Sequence, residues 1–306
     1  MMAALSTIVG TALIVIVLRD VVHELFHPEA VGTMSRWIMR GVWTFLRVLG
    51  RRRRGAILIA GPTILISVML AWSLLLLVGW TLIYWPRLPS GFNPDPLLPV
   101  AATRGFLTAL YVSLASMTTL GASDLAPKGG GLRMVVALES FVGPVIFTAW
   151  ITWVLSIYPV LADRRAFTHE VDIIRRIAAE PKELLAQLPH DTASELLRSL
   201  TEQVLRVSAH IEQSRVTYYF QNAVHEIALA WELPFLYDLA QTAEAGHESP
   251  AVRYNGRLLR GAVDQLMQDL GAEYLGIEKG TPRQIIAALA RDHLLPEPPL
   301  VDRLPG

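Results

Sequence analysis

The chain has 306 residues and no cysteine; 52% are apolar, only 18% are charged, and the mean hydropathy is +0.39. This composition excludes disulfide frameworks, thiolate nucleophiles and Cys-ligated metals, and it argues against a water-soluble globular enzyme. The net charge of zero is unevenly spread: residues 1–162 hold 12 Lys/Arg against 6 Asp/Glu and residues 163–306 hold 15 against 21, as in a basic membrane-facing part joined to an acidic, water-exposed one.

In chain order, the first apolar run is uncharged up to Arg19 and can continue as a helix toward His27, before Pro28. It lacks the basic flank of a secretory signal peptide. Its end spells His23-Glu24-Leu25-Phe26-His27, the H-E-x-x-H pattern that binds zinc from one helix face with the glutamate as general base. The plainer reading is a set of polar residues closing a membrane helix. Residues 19–54 then carry eight arginines. Arg36, Arg40 and Arg47 share one helical face, with Trp37, Ile38, Phe45 and Leu49 elsewhere around it. That pattern suits a helix lying in the membrane interface, with Arg51, Arg52, Arg53 and Arg54 as a lipid-facing basic patch. The same cluster also serves simply as a topology determinant.

Between Arg54 and Arg87, 32 consecutive residues carry no charge, enough to cross ~30 Å of hydrocarbon with tilt. Trp80, Tyr84 and Trp85 form an aromatic belt near its far end. A third span runs from Met134 to Ala162 with Glu139 as its only charge. Retention of positive residues on the cytoplasmic side places the N-terminus outside, residues 19–54 in the cytoplasm, 86–133 outside, and everything after 162 in the cytoplasm. Asp95, the nearest third ligand for a zinc site, then falls on the opposite membrane face, so no metal and no cofactor is expected. The expected location is the cell inner (plasma) membrane, crossed three times.

Beyond Asp163 the apolar spacing predicts helices over 165–179, 192–213, 216–244, 250–270 and 282–293, with capping boxes at Thr192–Glu195 and Thr281–Gln284. No G-x-G-x-x-G is present. Acidic charge without interleaved basic and aromatic residues argues against nucleic acid. Tyr218, Tyr219 and Phe220, with His225, Glu226 and Trp231, read either as a pocket lining or as core.

Between the second and third spans, residues 104–127 open with an apolar, helix-compatible stretch to about Met117, too short to cross, and continue as an irregular Gly-containing strand. Non-helical backbone at membrane depth is tolerated only where protein buries it or where it lines a water-filled path. Four such strands around an axis let carbonyls replace a cation's hydration shell. The segment ALYVSLASMTTLGASDLAP, residues 109–127, resembles the pore-loop ion channels of the potassium-channel superfamily in their small bacterial form with two pore-forming spans. The resemblance covers roughly residues 57–160. The family pattern is a pore helix ending in T-T-V-G-Y-G-D with a proline soon after. Thr118 and Thr119 match its threonines, Leu120 the valine, Gly121 the first glycine, Asp124 the aspartate and Pro127 the proline. Ala122 stands at the tyrosine and Ser123 at the second glycine.

The resemblance implies a selectivity filter at Thr118, Thr119, Leu120, Gly121, Ala122, Ser123 and Asp124, supported by Tyr111 and Glu139. It implies inner ion sites at the Thr119 hydroxyl and the Thr119, Leu120 and Gly121 carbonyls, and a homotetramer. Gly143-Pro144 in the third span reads either as a gating hinge, which the resemblance supports, or as a static kink that serves packing. The intramembrane carboxylate Glu139 reads either as filter support or as a purely structural hydrogen bond to the loop. Without the tyrosine brace and the second glycine, reduced potassium selectivity is expected, with K+ and Na+ as permeant ions. The expected fold is an all-α membrane protein: a pore-loop module of span, pore helix, filter and span, an extra N-terminal transmembrane helix, and a helical cytosolic C-terminal domain. The expected divisions are 1–54, 55–162 and 163–306. The function expected is a cation channel and no enzyme, with the lipid bilayer and its own copies as partners and an unidentified cytosolic ligand as one option for residues 163–306. The alternatives are a non-conducting membrane sensor or scaffold that keeps the pore fold, and an H-E-x-x-H zinc membrane protease.

Overall fold

The computed structural model describes residues 1–26, 32–52, 55–96, 103–221, 228–246, 248–296, 298 and 304. Among the described residues, three helices are long and apolar enough to cross a membrane: α1 (Met2–Phe26), α4 (Ala60–Tyr84) and α6 (Gly130–Ile177). The chain is a helical membrane protein. Between the first two lie α2 (Thr33–Gly50) and the single-turn α3 (Gly55–Leu58). Two short strands that the sequence does not announce, β1 (Phe92–Pro94) and β2 (Leu125–Pro127), pair antiparallel with Phe92 opposite Pro127 and Pro94 opposite Leu125.

The expected break between a span ending at Ala162 and a helix starting at residue 165 does not exist. α6 runs unbroken for 48 residues, about 72 Å at 1.5 Å per residue. Asp163, Arg164 and Arg165 change the polarity of the helix surface, but no glycine or proline stands there to stop it.

The chain forms two compact units. The first comprises Met1–Met39 and Leu65–Ser156. In it α1 packs on α4 through a pair of glycines, since a Cβ on Gly10 would overlap the Gly79 carbonyl oxygen and one on Gly79 would press on Ile14. Small residues at such crossings let backbones approach where hydrocarbon solvent gives no hydrophobic drive. The Ser6 hydroxyl adds a 2.6 Å bond to the Leu82 carbonyl. Asp20, buried near the other end of α1, accepts hydrogen bonds from the backbone N–H of Met34 and Ser35 at 3.1 Å, from the Ser35 hydroxyl and from Trp72 Nε1 at 3.0 Å. A carboxylate on one helix thereby satisfies the open N–H groups in the first turn of another. In the sequence the only signal for Asp20 is an acid closing an apolar run.

The second unit comprises Arg40–Ile64 and Ile157–Gly306. Its helices are α7 (Pro181–Gln187), α8 (His190–Gln213), α9 (Leu229–Gly246), α10 (Pro250–Leu270) and α11 (Pro282–Asp292). α10 packs on both α8 and α9. Leu197, Leu200, Val204 and Val207 of α8 and Leu259, Val263 and Leu266 of α10 supply buried stripes at helical spacing. The capping box at Thr281 is present, its hydroxyl accepting from Gln284 N and the Gln284 side chain from Thr281 N. The one expected at Thr192 is not: α8 starts earlier, after Pro189, with no side-chain cap. The helix expected over 216–244 is also corrected. Arg215–Tyr219 is a 3-10 turn and α9 begins only at Leu229, because Val216, Thr217, Tyr218 and Tyr219 are all buried and leave no solvent face for a surface helix.

Those tyrosines are core. Trp43 of α2 packs on Tyr219 and His293 with ring centroids 5.3 and 5.7 Å apart, and Tyr218 stacks on Tyr274 at 3.9 Å. Asp292 collects the polar tips, accepting from Trp43 Nε1 at 3.0 Å, from the Tyr218 hydroxyl at 2.7 Å and from Arg47. Arg47, expected on one face of an interfacial helix with Arg36 and Arg40, therefore bonds within its own unit. Burial holds His293 down to about 4 and pushes Tyr219 up to about 12, so both are neutral at pH 7. Arg164 donates to the carbonyls of Thr217 and Phe220 at 2.8 and 2.6 Å.

Candidate functional site

The segment with unusual backbone begins with α5 (Phe106–Met117), 12 residues and about 18 Å long, too short to cross ~30 Å of hydrocarbon. Its N-terminal Phe106 packs edge-on to Trp85, just past α4, with centroids 5.7 Å apart. Its C-terminal carbonyl, on Met117, lies against Gly143, where a Cβ would overlap it. The chain then returns through residues 118–124 to β2, which pairs with β1 beyond Trp85. The segment is a hairpin that enters and leaves at one end of the α4–α6 pair, with its tip well along α6.

Four hydrogen bonds brace it. The Ser113 hydroxyl on α5 and the Tyr84 hydroxyl on α4 each donate to Glu139 on α6 at 2.6 Å, all three buried. A buried carboxylate needs such donors, and here it joins three helices. Tyr111 OH donates to Asp124 Oδ1 at 3.1 Å, tying the returning strand to α5. Asp95 N donates to the Asp124 carbonyl at 2.8 Å, beside the strand pair.

At the tip, Thr118 caps α5 and its hydroxyl bonds back to the Leu114 carbonyl at 2.7 Å. Thr119 and Gly121 both take left-handed backbone, φ +59° and +76°. Their N–H groups turn inward, Thr119 to the Ser116 carbonyl at 3.1 Å and Gly121 to the Ala115 carbonyl at 2.9 Å. The carbonyls of Thr118, Thr119, Leu120 and Gly121 accept no hydrogen bond among the described residues, and Leu120 is 79% exposed. Four consecutive unsatisfied acceptors on a membrane protein's hairpin tip form a surface that a cation or water must meet. Behind them is a cavity of about 340 Å³ lined by Val112, Ser116, Ala122, Ser123, Val136 and Ser140. It lies beside Ala122.

The structure thus brings together Thr118–Asp124, Tyr111 and Glu139, and sets Gly143 at the hairpin tip. Helix α6 continues through Gly143 and Pro144. Ser113 and Tyr84, which complete the Glu139 contact, were not singled out in the sequence as polar partners; a serine on an apolar helix was the available signal. Arg51 and Arg52 are exposed, whereas Arg53 and Arg54 fall outside the described residues. So do His27, His225 and Glu226. His23 Nε2 accepts from Arg19 Nε at 3.3 Å, and no group of three potential ligands is placed to hold a metal among the described residues.

No protein-family model and no solved structure matches the chain. Among curated proteins it is similar to the uncharacterized membrane protein YdjJ of Bacillus subtilis (strain 168), at 26% identity over 149 residues. That match covers 48% of this chain and 42% of the relative, so the chain spans less than half of the relative's length.

Proposed function

We propose that the chain is one subunit of a pore-loop cation channel of the potassium-channel type, passing K+ and Na+ along the carbonyls of residues 118–121. The observation that carries this reading is the run of four adjacent carbonyls without a protein donor at the tip of the hairpin. Alternating left-handed φ at Thr119 and Gly121 supports it, because that alternation turns N–H groups inward and frees the oxygens. One hairpin surrounds an ion on one side only. Copies around an axis close the ring, and a homotetramer is the arrangement the resemblance implies. The N-terminus is then outside and residues 163–306 are cytoplasmic, where the helical unit biases the pore between open and closed populations.

Selectivity is weak in this reading. The cavity behind Ala122 removes the packing that would hold the outer filter to one ion radius. The same cavity favours a second reading, a non-conducting sensor or scaffold that keeps the hairpin. Uptake of radioactive rubidium into proteoliposomes separates the two. Uptake that Gly121→Asp abolishes, in a variant that remains tetrameric, supports conduction; no uptake above empty vesicles from tetrameric parent protein supports the scaffold.

A further inference from the structure

Helix α2 has two apolar sides. Trp43, Leu46 and Gly50 are buried in the second unit, where Arg47 and Trp43 meet Asp292. The other side exposes Phe45 at 68%, Val48 at 61% and Leu49, followed at once by Arg51 and Arg52. Leu58 and Ile59, also exposed, continue the apolar surface up to the start of α4. Neither Arg51 nor Arg52 makes an ion pair among the described residues. The sequence between Glu29 and Asp95 contains no acid at all.

We propose that this outer side of α2 is a docking surface for anionic phospholipid, with Phe45, Val48 and Leu49 entering the acyl boundary and Arg51 and Arg52 meeting phosphate headgroups. Three observations select lipid as the occupant. The surface lies in the stretch joining two candidate membrane spans, which keeps it within reach of the bilayer edge. Its charge is positive only, so a second copy docking through it would set arginine against arginine. Exposed aromatic and aliphatic residues beside arginines fit the boundary between headgroups and acyl chains. Because the opposite side of the same helix holds Asp292 and the tyrosine cluster, lipid bound here fixes the position of the helix on which the second unit is built. The inference rests on the membrane location of the chain and not on conduction.

The absence of native cysteine permits a clean test. The full chain carrying Val48→Cys, and separately Phe45→Cys, is labelled with a nitroxide. It is reconstituted in vesicles of phosphatidylcholine alone or of phosphatidylcholine and phosphatidylglycerol in equal parts. Collision with oxygen reports insertion and collision with a water-soluble nickel chelate reports exposure. The label is expected to be oxygen-accessible and nickel-protected with phosphatidylglycerol and to lose that protection without it. Arg51→Gln and Arg52→Gln are each expected to lower the inserted-to-exposed ratio in anionic vesicles about fivefold. Nickel access in both vesicles overturns the proposal, as does insertion that is equal in both and indifferent to the arginines. Spin–spin broadening with protection from both reagents overturns it in favour of a second copy of the chain.

Discussion

Thr119 holds a β-branched side chain at φ +59°, in a region that L-residues other than glycine enter at a cost of roughly 1–2 kcal/mol. Strain of this kind persists where neighbouring contacts impose it, and it clusters at functional sites. We predict that Thr119→Gly raises stability, less the entropy that glycine adds to the unfolded chain, leaving a gain of about 1 kcal/mol. The same variant loses the hydroxyl next to the free carbonyls and lowers rubidium uptake. Thermal unfolding in detergent and uptake, measured on one preparation, would move in opposite directions. Parallel losses would mean that the conformation is merely structural.

Gly143 gives a second test at this scale. A methyl group there meets a backbone oxygen, so trimming the Met117 side chain gives no relief. Gly143→Ala should destabilise by about 1–3 kcal/mol and alter uptake, because the hairpin tip has to move. If glycine served only as a hinge, the alanine variant would fold with parental stability.

At the scale of elements, two buried groups in the helical unit are shifted in opposite directions. Burial pushes Glu232 of α9 up from 4.5 to about 7, opposed by Arg175 and assisted by Asp172, while burial holds His293 down from 6.5 to about 4. For Glu232 the folded state binds more protons between 4.5 and about 7, so its contribution falls as pH rises through that window. For His293 the unfolded state binds more protons between about 4 and 6.5, so its contribution rises with pH and is lost as pH falls. The two slopes oppose each other between 4.5 and 6.5. Glu232→Gln removes the first, and the melting temperature of the variant should climb more steeply than the parent's from pH 4.5 to 6.5. An unchanged profile would contradict the assignment.

The elements also show what the sequence could and could not say. Uncharged length pointed to the three helices that, among the described residues, are long and apolar enough to cross a membrane, because a bilayer demands about 20 apolar residues wherever the chain crosses it. The Thr281 cap was legible since its four residues make both bonds among themselves. Thr192–Glu195 has the same lettering, but Pro189 starts the helix earlier and places those residues inside it. Trp43 and Arg47 looked like part of an interfacial helix; their partner Asp292 lies 249 and 245 residues away, beyond any local pattern. In the candidate site, the Thr-Thr-Leu-Gly order was readable. The Glu139 contact with Ser113 and Tyr84 was not, because no spacing rule connects 55 residues of sequence to one hydrogen bond.

In the molecule as a whole, the hairpin whose four tip carbonyls accept no hydrogen bond among the described residues belongs to one compact unit, and helices α7 to α11 belong to the other. A conduction path is the use proposed for those carbonyls, which sit on exposed residues and accept no hydrogen bond among the described residues. The most direct measurement is single-channel recording of the purified chain in planar bilayers, with potassium on one side and sodium on the other. It is repeated with the double variant Ala122→Tyr, Ser123→Gly, which fills the space beside residue 122 and places a glycine at 123. We predict cation currents from the parent with a reversal potential near zero, and a shift of that potential toward the potassium equilibrium value in the double variant. Silence from both proteins, each shown to be tetrameric, would contradict the channel reading.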